Sequence, residues 1–342
     1  MSGGEANDVR RRRRLALGLA LGTLALLVAG LAAGSEGWSL SGLLRTWRTS
    51  EGALIILQIR APRTLGAWLT GALLGLSGAT AQGLFRNPLA DPYLLGSASG
   101  AILGVVLVLA AGALGGHVID VETADLLARF GLVAAAFVGA LFGVLLTLSL
   151  ARGAQETTRL LLAGVVVGVV LTAVSDLVTS AAPDALRGKQ AFLLGSTGFL
   201  GWSSCLLLAL GLAVTLPPSW RLSRALDALT LGTDSALSLG LALPRIRVAL
   251  VSALALATGL AVSQAGLVAF VGLVSPHLVR RFAPATHGFT VVASAATGGV
   301  LLLAADVLAR SLIAPQEVPV GALTALLGGG YLIWLLRKKR AT

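Results

Sequence analysis

Charge is scarce in this chain: Asp, Glu, Lys and Arg make up 12 % of its 342 residues, where soluble domains carry about 25 %. That sets aside a soluble enzyme. Cys205 is the single cysteine, so an intrachain disulfide is excluded, and its place in an apolar run says nothing about redox compartment. The three histidines, His117, His277 and His287, have no metal-ligand spacing to one another or to the cysteine; no metal site is expected. There is no Gly-x-x-x-x-Gly-Lys-Ser/Thr phosphate loop, and Gly188-Lys189-Gln190 is not one. No acid, base or nucleophile set clusters, which sets aside a membrane-embedded enzyme and leaves the catalytic residues as none. The chain moves something without hydrolysing ATP itself.

What is abundant is apolar. Hydrophobic residues are 56 % of the chain and the mean hydropathy is +0.89, the composition of a polytopic membrane protein. Glycine numbers 43, with pairs four apart at Gly71/Gly75, Gly100/Gly104, Gly139/Gly143 and Gly164/Gly168; small residues at that spacing let helix backbones approach closely within one bundle. The net charge of +11 does not mean nucleic acid. Nine basic residues stand at the two ends, 10–14 and 337–340, beside apolar segments, as the positive-inside rule produces, and anionic lipid adds attraction there.

Residues 1–14 read as a disordered basic tail and 15–342 as one transmembrane domain. The first apolar run, 15–33, follows a basic stretch as in a signal peptide, but its length favours an uncleaved helix. Further spans are predicted at 64–84, 93–114, 130–150, 160–180, 199–216, 248–266, 289–308 and 320–336, with a shorter helix at 275–282. The fold class is all-α with about ten spans, each near bilayer length, and an even count with basic ends puts both termini inside. Trp38 and Trp47 suit an outer interface, and His117, Asp120, Glu122 and Asp125 mark an acidic outer loop. The prolines of Arg86-Asn87-Pro88-Leu89-Ala90-Asp91-Pro92 force a tight inside turn. Segment 217–243 is too polar to span and too apolar for a linker. It predicts two short amphipathic helices hinged near Gly232.

At an offset of 182, Pro62-Arg63 matches Pro244-Arg245 and Gln82 matches Gln264. One pair opens an inward helix and the other an outward one, the mark of an inverted repeat, with chance alignment of small residues as the rival. Charge inside a membrane is costly and usually purposeful. Asp176, with Ser175 and Thr179, is a candidate pathway wall, or the capped end of a helix. Asp306 and Arg310 stand four apart in the order that favours an ion pair.

The words RAPR (60–63), GLSGATAQGLFRNPLADPYLLGSASGA (75–101) and GLVAFVGLVSPHLVRR (266–281) resemble the permease subunits of ABC importers for haem, ferric siderophores and cobalamin, and the resemblance covers about residues 60–340. It implies a homodimer around a central path and two ATP-binding cassette subunits on the cytoplasmic face, which carry the ATP and Mg; this chain needs no cofactor. It implies that loop 217–243 couples to the ATPase, through Leu226, Leu229, Leu231, Gly232, Ala236, Leu239 and Gly240. It implies a cytoplasmic gate at Asn87, Leu89, Thr157 and Thr158. It implies that Arg60, Arg63 and Arg310 grip acidic residues of a periplasmic substrate-binding protein.

The expected function is the permease of a bacterial inner-membrane importer for a metal chelate, working by alternating access. Haem is narrowly preferred over ferric siderophore and cobalamin. The spans hold no histidine, methionine or tyrosine clusters, so the path does not coordinate the metal. The alternative is an ion-coupled secondary transporter, which the inverted repeat alone would fit but which has no need of an amphipathic coupling loop.

Overall fold

A computed structural model describes residues 3–34, 37–38, 47–115, 121–151 and 157–339. It is nearly all helix: α1 (Gly3–Ala32), α2 (Ser50–Ile55), α3 (Ala61–Phe85), α4 (Ser97–Gly115), α5 (Val121–Leu150), α6 (Thr157–Ala181), α7 (Ala185–Leu194), α8 (Trp202–Arg221), α9 (Ser223–Thr230), α10 (Thr233–Ser238), α11 (Leu243–Ala265), α12 (Val271–Phe282), α13 (His287–Ser311) and α14 (Val320–Lys339). A two-residue antiparallel pair, β1 (Ala33–Gly34) with β2 (Gly37–Trp38), follows α1.

Everything is arranged around α3. Residues 69–85 are buried throughout, packed by α8, α11, α12 and α13. Glycine permits this. A Cβ at Gly71 would lie 2.2 Å from the carbonyl oxygen of Gly298 on α13, and one at Gly75 would lie 2.1 Å from that of Ser294. The same close approach joins α4 to α5, where a Cβ at Gly100 would meet the Gly139 carbonyl oxygen at 2.1 Å. These pairs pack helices within the bundle, as their spacing predicts. Gly168 departs from the pattern: its nearest neighbour is Ser99 Oγ at 3.6 Å.

The helices define two ends. α3 runs from an arginine end, at Arg60 and Arg63, to the turn at 86–92. α13 runs back, from His287 beside Gly83 to Arg310 beside Asp306. α11 starts at the turn end, where Leu243 packs with Leu84 and Phe85, and finishes at the arginine end, where the Ala265 carbonyl accepts from Ser196 N. So α3 and α11 are antiparallel and each carries a proline in its first turn, Pro62 and Pro244, the relation an inverted repeat requires.

Several expectations need correction. Among the described residues six helices are long and apolar enough to cross a bilayer: Asn7–Ala32, Phe130–Leu150, Thr158–Ala181, Trp202–Arg221, Leu243–Ala265 and His287–Ser311, with shorter apolar stretches at Ser97–Gly112 and Val320–Leu335. Length and composition alone single out six of the ten expected spans among the described residues. α3 has 25 residues, but threonine, glycine, Ser77 and Gln82 dilute its hydropathy, and α12 has 12 residues. The arginines at 10–14 are helical and continue α1, not a disordered tail. α8 continues through Pro217 and Pro218. Their missing N–H groups cost two ladder bonds, which membrane helices tolerate where neighbours re-satisfy the carbonyls. α7 was not foreseen. His117 and Asp120 lie outside the described residues, while the helix carrying Glu122 and Asp125 begins at Val121.

Candidate functional site

At the arginine end the three predicted arginines come together, but two of them turn inward. Asp306 is fully buried and accepts from Arg63 Nε at 3.1 Å, Arg310 Nη2 at 2.5 Å and Thr197 Oγ1 at 2.6 Å. Arg63 also holds Glu317 by two parallel bonds, Nη1 to Oε1 at 2.7 Å and Nη2 to Oε2 at 2.9 Å, the bidentate form that suits guanidinium. That bond keeps the Glu317 carboxyl below its usual range. Arg310 is 5 % exposed and donates from Nη1 to the Gly30 carbonyl at 3.0 Å. Arg60 donates to the Leu31 carbonyl at 3.1 Å. The expectation that Arg310 faces outward is therefore corrected: its charge is neutralised inside the bundle because desolvating an unpaired guanidinium is prohibitive. Glu317, Thr197 and the tie to α1 are missed by sequence reasoning. Only the Asp306–Arg310 pair, four residues apart on one helix, shows locally.

At the turn end α9 and α10 form the predicted hinged pair. Gly232 has φ 110° and Gly240 φ 75°, conformations a side chain would strain. The coupling candidates divide. Leu226, Leu229 and Ala236 are buried at 0 %, 2 % and 0 % exposure and pack with Leu84, Phe85 and Leu243; they anchor the element and present nothing to a partner. Leu231 and Leu239 are 73 % and 67 % exposed, and Leu237, which was not foreseen, stands out beside them. A second anchor was also missed. Asp227 Oδ1 accepts from His287 Nδ1 at 2.6 Å and from His287 N at 3.0 Å, tying α9 to the first residue of α13.

The predicted gate residues sit nearby. Asn87 and Leu89 are exposed in the turn, and Asn87 Oδ1 accepts from Leu89 N at 2.9 Å. Thr158 is exposed in the first turn of α6, where Thr157 begins the helix; α6 packs on the 3-10 turn Pro92–Leu95. Asp91 Oδ1 caps that turn by accepting from Tyr93 N at 2.8 Å. Burial raises the Asp91 carboxyl to about 6, against the opposing pull of that N–H.

Between α4 and α6 an open groove of about 670 Å³ runs from Asp91 past Ser99, Gly168 and Thr172 to Asp176. Of the pathway candidates only Asp176 faces it, paired with Lys189 of α7 at 2.5 Å. Ser175 is buried, and Thr179 donates to its carbonyl at 2.7 Å; both belong to the packing. Thr172, whose Oγ1 donates to the Gly168 carbonyl at 2.8 Å and meets Ser99 Oγ at 3.2 Å, is the polar wall instead. Among the described residues no three His, Cys, Asp or Glu side chains gather as a metal site.

These features can be compared with known proteins. Residues 22–338 match the model of the FecCD transport family. The chain belongs to the FecCD transport family. Among FecCD relatives, the hemin transport system permease protein of Yersinia pestis is 39 % identical over 94 % of this chain and 96 % of its own. The vitamin B12 import system permease protein of Salmonella paratyphi A is 38 % identical over 96 % of each. A solved structure described as an inward-facing conformation of a protein assigned as a metal-chelate type ABC transporter superposes with TM-score 0.79 at 27 % identity, covering 95 % of this chain and 99 % of that one. As a FecCD member this chain is a membrane permease of a family whose relatives include a hemin and a vitamin B12 permease. The ion-coupled secondary transporter finds no support among these relatives.

Proposed function

We propose that two copies of this chain form the membrane path of an ATP-driven importer in the bacterial inner membrane, with both termini cytoplasmic. Two ATPase subunits, carrying the ATP and Mg, dock on α9–α10. A periplasmic binding protein docks on the arginine end and hands its chelate to the path between the copies. Traced end to end, α1, α3, α4, α5, α6, α8 and α11–α14 alternate direction as ten passes would, with the polar α9–α10 on the side of the basic termini. The observation that carries this reading is the pair of displayed leucines, Leu231 and Leu239, on a hinged element whose other face is anchored in the bundle. Exposed leucines at the polar end of a membrane protein call for a partner. Asn87, Leu89, Thr157 and Thr158 would close the inner gate where two copies meet on a two-fold axis.

For the cargo, haem is tested first, with ferric siderophore and cobalamin beside it. The groove offers threonine, serine and glycine and few ligands, which suits a chelate that keeps its own metal shell. Proteoliposomes holding the permease, its ATPase and the binding protein should take up haem with ATP and not without it. Uptake of cobalamin or a ferric siderophore in its place would change the cargo and leave the importer standing. ATP-independent uptake driven by a proton or sodium gradient would overturn the mechanism.

A further inference from the structure

We propose that a slot between α12, α13 and α14 binds one acyl chain of an anionic phospholipid, with the phosphate at Arg281. The slot has a volume of about 220 Å³. That is below the roughly 300–1,000 Å³ of pockets that enclose a whole small molecule, so it admits part of a longer ligand. Its shape follows from helix geometry. Phe270, Val274 and Leu278 line it from α12 and its entry, and Thr324, Leu327 and Tyr331 line it from α14. These are successive turns of two helices that both run toward the turn end. The result is a narrow apolar channel along the helix axes, floored by Leu301 and Ala305 of α13.

The channel ends in a cation on an aromatic stack. His277 meets Tyr331 edge-on at 5.8 Å, Tyr331 stacks on Trp334 at 6.1 Å, and the Arg281 guanidinium lies 5.9 Å from the Trp334 ring centre. Arg281 and Trp334 are both exposed, as is Arg337 one turn further along α14. The neighbouring Arg280 turns inward to Gln82 Oε1, whereas Arg281 meets no carboxylate among the described residues. Tyr331, which lines the channel and stacks on the Trp334 that Arg281 covers, has a buried Oη without a hydrogen-bond partner. A phospholipid supplies what each level lacks, in order: a chain for the channel, ester carbonyls for the phenol, and a phosphate for Arg281. An aromatic at the interface and a basic group beside it are what headgroups meet. The net negative charge is the part of the ligand that Arg281 selects, since a zwitterionic headgroup brings its own cation.

Purified permease–ATPase complex, given equal phosphatidylglycerol and phosphatidylcholine and read by native mass spectrometry, should retain phosphatidylglycerol. Arg281→Gln should lower its retention about fivefold, the effect of one basic residue at an anionic surface. Val274→Phe, which fills the channel, should abolish retention. Equal retention of both lipids, or unchanged retention in both variants, would overturn the proposal. So would a disulfide between copies carrying Leu327→Cys, which would show the second copy covering the slot. A readout that needs no altered packing uses chain-brominated lipids on the native complex. Brominated phosphatidylglycerol should quench tryptophan fluorescence more than brominated phosphatidylcholine, and Trp334→Phe should remove the difference; equal quenching overturns the site.

Discussion

The two ends of the bundle meet their surroundings in opposite ways. The arginine end is closed on itself: Arg63, Arg310, Asp306 and Glu317 neutralise one another, and Asp306 has no exposed surface. The turn end is open, with Leu231, Leu237 and Leu239 standing clear of the bundle. A partner at the open end gains by covering apolar surface that is already in water. A partner at the closed end must exchange one ion pair for another, so its net gain is small and its association depends on salt. Firm attachment of an ATPase and reversible visits by a binding protein are what these two chemistries favour.

The comparison breaks most visibly at Asp306. Asp306→Ala leaves two mostly buried guanidiniums without their shared carboxylate, and breaking a buried pair costs about 3–5 kcal/mol. Thermal unfolding of the purified complex should show that loss. Unchanged stability would mean that the network is a surface feature, and the contrast between the ends would fail.

At the open end the effect is on assembly. Leu231→Asp with Leu239→Asp should leave the fold intact and release the ATPase from co-purification. Each leucine contributes about 1.5 kcal/mol, the low end for a buried side chain because a rim contact covers it only in part. Leu226→Asp should instead destabilise the permease itself, since that side chain is in the core. A double variant that keeps its ATPase would place coupling elsewhere.

These divisions mark how far the sequence could be read. The α9–α10 pair is legible because glycine at Gly232 and the amphipathic spacing around it are local signals. The Asp306–Arg310 pair is legible for the same reason, lying within one helical turn. Arg63 is different. Its partners Asp306 and Glu317 are 243 and 254 residues away, and no local pattern chooses between a guanidinium that faces water and one that is paired inside. The same limit applies to Leu226 against Leu231: both sit on an apolar stripe, and only packing against Leu84 and Phe85 shows which one is buried. α7, with its Arg187 and Lys189, carries too little apolar signal to be found alone. Pro217-Pro218 read as a stop because the rule for helix interiors is taken from water.

The turn end carries a smaller, pH-dependent term. Burial holds the Asp91 carboxyl at about 6, above the ordinary aspartate value of 3.8, so the folded state favours the proton. Its contribution is full below pH ~4 and is lost as pH rises to ~6. Two pH units correspond to at most about 3 kcal/mol, and partial exposure reduces this to roughly 1–2 kcal/mol. Asp91→Asn keeps an acceptor for Tyr93 N and removes the charge. It should raise the melting temperature at pH 7 and flatten the profile between pH 4 and 6; an unchanged slope would assign the titration to another group.

The smallest effect sharpens the closed end. Glu317 is exposed over about half its side chain, 47 %, yet it holds Arg63 in both forks of its guanidinium. A carboxylate on a docking protein would have to take that place. If a binding protein docks here as proposed, Glu317 competes with it for the Arg63 guanidinium. Glu317→Gln removes the competing charge while Asp306 still fixes Arg63 through Nε. A partly exposed pair is worth about 1 kcal/mol or less, so the binding protein should bind up to about fivefold more tightly at low salt. The gain should shrink as salt rises, because both the lost and the gained pair are screened. The turn end should not register the change, and ATPase co-purification stays as it was. Weaker binding in Glu317→Gln would mean that the carboxylate pre-orients Arg63 for docking, with the pair acting as a scaffold and not as a competitor.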